Sequence, residues 1–200
     1  MPIAIDYYFT PQSPWTYLGH QRFARLALAA GATVRLLPVD FGQVFAVSGG
    51  LPLGKRAPQR QAYRLVELKR FSDHLQLPLN LQPTFFPVAG DDAARLILAV
   101  ATQDGSAAAM TLSGAIFAAV WAQQRNIADS ATLAEILAEC SIDAALLAQS
   151  HNPDIQAAYE AATRQAIDNS IFGAPSYVID GEIFWGQDRL DFVERKLQIG

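Results

Sequence analysis

The stretch Phe9-Thr10-Pro11-Gln12-Ser13-Pro14-Trp15-Thr16-Tyr17-Leu18 decides the fold. Before it, residues 3–9 (Ile-Ala-Ile-Asp-Tyr-Tyr-Phe) are β-branched and aromatic and read as a strand. After it, Pro14 to Ala30 carries Leu18, Phe23, Leu26 and Ala27 at helical spacing, and Gly31 ends the run. Val34 to Val39 is a second strand. Strand, helix and strand in that order make a parallel, right-handed βαβ unit. Ser13 therefore stands at a helix start, with Pro14 at the first helical position. Its plainer role is an N-cap. Its second role is chemical. The free N–H groups and the dipole of a helix N-terminus favour an anion, and a hydroxyl can donate a hydrogen bond to one, such as a thiolate carried in by a ligand.

The middle of the chain differs. Gln59 to His74 is polar and helical, and Leu77-Pro78 through Phe86-Pro87 is Pro-rich and extended. Ala93 to Ala101, Ala107 to Gln123, Ala131 to Glu139 and Ile142 to Ala148 are alanine-rich helical stretches, and Pro153 to Ser170 is one long helix. Near Ser170 the character reverts. Ala174-Pro175-Ser176-Tyr177-Val178-Ile179 is a strand, Asp180-Gly181 a hairpin turn and Glu182-Ile183-Phe184-Trp185 the returning strand, followed by a helix over Gln187 to Gln198. The order βαβ, helices, ββα predicts an α/β, thioredoxin-like fold with a large all-helical insertion. The expected boundaries are 1–45 and 166–200 for the thioredoxin-like domain and 46–165 for the insertion. Such an excursion builds a lid or one wall of a cleft, or simply enlarges the core.

In folds of this kind the first helix start carries Cys-x-x-Cys. Here the four positions are Ser13-Pro14-Trp15-Thr16. With no thiol there, disulfide exchange is ruled out at this site. A second anchor is Gly173-Ala174-Pro175. In thioredoxin-like folds the proline opening this strand is cis and faces the first helix. The backbone of Ala174 is then left unpaired, free to bond an extended peptide such as glutathione as an added strand. The plainer reading is an ordinary strand-initial proline. A third element is Gly186-Gln187-Asp188-Arg189. Asp188 is either a capping carboxylate or an acceptor for an amino group beside helix N–H donors for a carboxylate, the two ends of a γ-glutamyl amino acid.

Composition narrows the function. A net charge of −4 and a pI near 5.3 give no electrostatic case for nucleic acid or an anionic membrane. No apolar run approaches the ~20 residues that span a bilayer. Met1-Pro2-Ile3-Ala4-Ile5-Asp6 has no basic n-region and enters a strand directly, unlike a signal peptide. The single cysteine, Cys140, allows no internal disulfide, and the expected setting is a reducing cytoplasm. Cys140 reads as a helix packing residue, and Trp121 and Trp185 as core. His20, His74 and His151 have no metal-ligand spacing with Cys, Asp or Glu, so no metal is expected.

Three segments together resemble the 2-hydroxychromene-2-carboxylate isomerase family, a DsbA-like group related to kappa-class glutathione transferases. Ser13-Pro14-Trp15-Thr16-Tyr17-Leu18 resembles its S-P-x-[ST]-[YW]-L segment, Gly173-Ala174-Pro175-Ser176 its G-[VL]-P-[ST] strand, and Phe184-Trp185-Gly186-Gln187-Asp188-Arg189-Leu190 its F-W-G-x-D-R-L ending. Pro58, Tyr63, Arg70, Pro78 and Phe86-Pro87 resemble the series between. The resemblance implies glutathione as cofactor, with Ser13 stabilising its thiolate and Ala174, Pro175, Gln187 and Asp188 binding it. It implies isomerisation of 2-hydroxychromene-2-carboxylate to a trans-o-hydroxybenzylidenepyruvate-type product in aromatic hydrocarbon catabolism, and a homodimer through the family's tendency to dimerise. Two departures stand out. Ala89-Gly90-Asp91 follows Pro87 where the family often has Asn, and Ser48-Gly49-Gly50-Leu51 lacks the Asn of a glutathione contact. Lys55 is the candidate for the glycyl carboxylate of glutathione. Trp15, Tyr63 and Arg60 are candidates for binding a small aromatic substrate, with Lys55 and Arg56 nearby. The alternatives are a kappa-like transferase that conjugates electrophiles and a non-enzymatic thioredoxin-like binding module.

Overall fold

The computed structural model describes residues 3–198; positions 1–2 and 199–200 of the expected boundaries lie outside the described residues. The elements run β1 (Ala4–Phe9), α1 (Pro14–Ala29), β2 (Thr33–Pro38), α2 (Phe41–Ser48), α3 (Pro58–Leu75), α4 (Asp91–Gln103), α5 (Gly105–Trp121), α6 (Ser130–Glu139), α7 (Ala145–Gln149), α8 (Pro153–Asp168), β3 (Ser176–Ile179), β4 (Glu182–Trp185) and α9 (Leu190–Lys196). The strands form one sheet in the order β2-β1-β3-β4. β1 and β2 are parallel, with Phe9 opposite Pro38, and β3 runs antiparallel to β1, with Tyr8 opposite Ser176. Asp180 and Gly181, at φ 51° and 80°, make the tight hairpin to β4. This is the thioredoxin-like fold with a helical insertion that the order of elements predicts.

Both faces of β1 are buried, as expected of a strand flanked by parallel and antiparallel neighbours under helices. Tyr7 and Phe9 point into the larger core with Phe23 of α1, Leu96 of α4 and Phe117 of α5. Tyr8 points the other way, onto Leu37, Val44, Ala166 and Ile171. The larger core joins sheet, α1 and the inserted helices without a break, so the expected boundaries at 46 and 165 cross no gap in packing.

Three local differences from the sequence reading bear on function. β3 begins at Ser176, which leaves Ala174 and Pro175 outside the ladder. The final helix begins at Leu190, because Gln187–Arg189 is a 3-10 turn. α2 gave no clear sequence signal: it is short, capped by Asp40 Oδ1 accepting from the Gly42 N–H at 2.8 Å and stopped by Gly49 at φ 75°. The expectation that Trp185 lies in the core is wrong. It is 51% exposed at the free end of edge strand β4, where Phe184 takes the inward position.

Candidate functional site

The turn from β1 to α1 is closed by the Ser13 N–H donating to the Thr10 carbonyl at 3.0 Å. Ser13 is the N-cap of α1, and its Oγ accepts from the Thr16 N–H at 3.2 Å. A hydroxyl has one donor and two acceptor positions. Capping uses an acceptor and leaves the O–H free, so the two roles open in the sequence are compatible. Ser13 is 7% exposed, and the first turn of α1 holds no acidic residue to compete with a bound anion.

The register of β3 on β1 carries Pro175 and Ala174 past Ser176 towards the end of β1, beside the Thr10–Ser13 turn. The Ala174–Pro175 bond is cis. The Pro175 carbonyl accepts from the Gly186 N–H at 2.8 Å, while the N–H and C=O of Ala174 have no hydrogen-bond partner among the described residues. Phe172 and Trp185 pack edge to face at 4.8 Å and stand exposed beside this segment. Gln187 is 3% exposed, and its Nε2 has no partner among the described residues; Thr16 Oγ1 and Tyr177 OH are likewise buried and without a partner among them. Buried polar atoms are normally satisfied; these three lie where α1 meets this turn, and a fourth, Arg95 Nε, lies elsewhere on α4. α1 reaches the turn at Gly19: a Cβ there would lie 2.7 Å from Gln187 Cβ and 3.0 Å from the Tyr177 hydroxyl. Asp188 is exposed, its Oδ2 accepting from Arg189 Nη1 at 2.7 Å.

Lys55 ends a 3-10 turn, and Arg60 and Tyr63 lie on α3; all are exposed, Tyr63 by 57%. Trp15 is half-buried and meets Phe71 of α3 edge-on at 6.0 Å. Sequence reasoning missed Arg64. Its guanidinium lies 5.2 Å from the Phe86 ring centre and 5.6 Å from that of Trp121. The Trp121 indole N–H in turn donates to the Gln12 carbonyl at 3.2 Å, and Gln12 Oε1 accepts from the Val88 N–H. No spacing in the chain could have signalled a contact among residues this far apart.

Other candidates fall into structural roles. His20 is buried; its ring nitrogens sit 3.3 Å from the Tyr7 hydroxyl and 2.9 Å from the Met110 carbonyl, so Nε2–H donates to Met110 and Nδ1 accepts from Tyr7. Burial pushes its pKa down to about 4, which keeps the ring neutral. Cys140, half-buried after α6, is held as a thiol by burial and by Glu139. A recess of about 460 Å³ opens between α2, α4 and α8, but Tyr159 is bonded to Asp91 and Arg95 to Asp92 within it. Among the described residues, no helix is long and apolar enough to cross a membrane, and no group of three or more His, Cys, Asp or Glu is placed to hold a metal ion.

A thioredoxin sheet with a hydroxyl at the first helix start, a cis proline beside it and a helical insertion defines the class: the chain belongs to the DSBA-like thioredoxin domain family, whose model matches residues 4–198. Within that class it is similar to the 2-hydroxychromene-2-carboxylate isomerase of Sphingobium xenophagum, 29% identical over 199 residues that cover 98% of this chain and 99% of the relative. It is also similar to glutathione S-transferase kappa 1 of Caenorhabditis elegans, 24% identical over 97% of this chain and 90% of that one. A solved structure of 2-hydroxychromene-2-carboxylate isomerase matches with a TM-score of 0.81 and 25% identity, covering 98% of this chain and 94% of its own. The resemblance read from the three sequence segments is borne out, and the relatives set the chain among enzymes of the isomerase type.

Proposed function

We propose that the protein is a glutathione-dependent isomerase of 2-hydroxychromene-2-carboxylate, or of a closely similar small aromatic carboxylate, acting in the breakdown of aromatic hydrocarbons. The observation that carries this reading is the free hydroxyl hydrogen of Ser13 at the start of α1, beside an Ala174 backbone with no partner. The residues present fit glutathione. Ala174 offers one donor and one acceptor to its extended backbone, as an added strand does. Asp188 would accept from its α-amino group, the backbone N–H groups of Gln187 and Asp188, which have no acceptor among the described residues, would donate to its γ-glutamyl carboxylate, and Lys55 would face its glycyl carboxylate.

When bound, glutathione supplies a thiolate whose reversible addition and loss permits ring opening and bond rotation without net consumption. The chain's own part is to hold that sulfur ionised and in place. The Ser13 O–H and the α1 N-terminus both favour the charged form, and no carboxylate in the first turn opposes them. Burial of Ser13 limits water at the same point. Lys55, Arg56, Arg60 and Arg64 have no carboxylate within ion-pair distance among the described residues, so this basic stretch favours an anionic substrate.

The test is turnover of 2-hydroxychromene-2-carboxylate with and without glutathione, following the thiol concentration. Dependence on glutathione with its concentration unchanged is the expected result. Loss of glutathione in step with product would establish the second reading, a conjugating transferase like the kappa-class relative. Glutathione at 100 times its dissociation constant should add ~2.7 kcal/mol of stability. No rise in melting temperature would point to a non-catalytic module instead.

A further inference from the structure

Among the described residues, Arg64 is the cation of α3 drawn inward, where Arg60, Lys69 and Arg70 are exposed. It is half-buried, and its guanidinium is stacked against Phe86 and Trp121. Among the described residues no ion pair and no hydrogen bond engages it: the paired cations are Arg22, Arg35, Lys69, Arg70, Arg95, Arg125, Arg164, Arg189 and Lys196. A charge taken partly out of water and left without a counterion is costly unless something compensates it. The two rings offset part of that cost through the cation–π attraction. They do so through their faces, which leaves the five in-plane N–H donors of the guanidinium unspent.

The neighbourhood sharpens the point. Burial and the nearby Arg56 push the Arg64 pKa down to about 10, so the group stays charged at neutral pH while a second cation presses on it. An incoming carboxylate would relieve both the desolvation and the repulsion. The position is close to the chemistry. The indole that Arg64 lies over donates its N–H to Gln12, the residue before Ser13. One aromatic layer therefore separates the guanidinium from the β1–α1 turn. A flat ligand reaching from Ser13 towards α3 would bring a carboxylate to a planar, bidentate donor.

We propose that Arg64 is the specificity-determining residue that selects an aromatic carboxylate over its neutral analogue in the ligand bound beside Ser13. The inference deepens the isomerase reading and rests on it for the identity of the carboxylate.

The experiment is calorimetry on the glutathione-loaded protein with trans-2-hydroxycinnamate and with trans-2-hydroxycinnamamide, which share a ring and differ in charge. Wild type should bind the acid roughly 10- to 150-fold more tightly than the amide, the range of one hydrogen-bonded contact to a charged group. Arg64→Met should erase that preference, leaving affinity for the amide and for glutathione unchanged. Arg64→Lys keeps the charge but not the fork and should retain part of it, which preserves the test if the methionine variant fails to fold. Equal binding of acid and amide by wild type, a preference that survives Arg64→Met, or equal loss of both ligands in that variant would each overturn the proposal. Turnover of 2-hydroxychromene-2-carboxylate measured alongside separates the two claims. A carboxylate preference lost with Arg64, without turnover, removes the isomerase reading and leaves the selection by Arg64 standing.

Discussion

The Trp121 indole N–H donates to the Gln12 carbonyl at 3.2 Å, which ties the last turn of α5 to the loop that presents Ser13. Trp121 is fully buried and also packs on Phe86 at 4.8 Å. The helical insertion thus holds the candidate site from behind. Trp121→Phe keeps an aromatic ring but leaves the Gln12 carbonyl without its donor. Stability should fall by roughly 1–3 kcal/mol. For a chain of this size that is a loss of roughly 2–12 °C in melting temperature. Thermal unfolding checks the stability, and a fall in turnover at saturating glutathione checks the positioning of the Ser13 loop.

Gly19→Ala tests the seam between α1 and the Gln187–Arg189 turn. Alanine improves helix propensity by ~1 kcal/mol. Its methyl, however, would sit 2.7 Å from Gln187 Cβ and 3.3 Å from Gln187 Cα, atoms that move only with the backbone. Overpacking of this kind costs ~1–3 kcal/mol, so the net effect should be destabilising. Displacement of the turn should weaken glutathione binding, read by calorimetry, more than it changes the thiol pKa of whatever glutathione is bound.

Ser13→Ala removes a cap and a donor together. The cap costs ~0.5–2 kcal/mol of stability. The lost hydrogen bond to the reacting thiolate should cost roughly a 10- to 150-fold drop in rate. The thiol pKa of bound glutathione, followed by ultraviolet absorbance against pH, should rise toward that of a free thiol. Asp188→Ala should do the reverse, weakening binding with a smaller effect at saturation. If Ser13→Ala matches wild type in rate and in thiol pKa, Ser13 is only a helix cap.

His20 should make the fold acid-sensitive. The folded-state pKa is about 4, against ~6.5 in an unfolded chain. Between these values the unfolded chain binds the proton and the folded one does not, so stability falls as pH falls through this window. The full loss is about 3 kcal/mol, and above pH ~6.5 the contribution is constant. His20→Gln retains a donor for the Met110 carbonyl and removes the titration. Its melting temperature should change less between pH 7 and pH 4.5 than that of wild type.

Insulin reduction should stay at background. Ser13 and Thr16 occupy the positions of a dithiol pair and cannot form a mixed disulfide. Cys140 lies at the end of α6 with its pKa raised by burial and by Glu139, so little thiolate is present at neutral pH. Reductase activity above the buffer rate would show that the site lies elsewhere.

Sequence alone determined what local chemistry dictates. The strand over 3–9, the Ser13 cap with Pro14 behind it and the Asp180-Gly181 hairpin each depend on residues adjacent in the chain, where backbone geometry and capping leave few alternatives. Their order then limited the topology to a thioredoxin sheet with a helical interruption, because parallel crossovers have one hand. Only the tertiary structure decided which side chains meet. Arg64 stacks on Phe86 and Trp121, Trp121 reaches back to Gln12, and Gln187 is sealed against Gly19. The outward turn of Trp185 was decided in the same way: β4 is the edge strand, and at its end Trp185 packs on exposed Phe172 rather than on the core. A charge run on a helix and an aromatic on a strand read alike in the chain whether solvated or packed. The difference is made by partners far away in sequence, brought in by burial, which is non-directional and leaves no spacing to read.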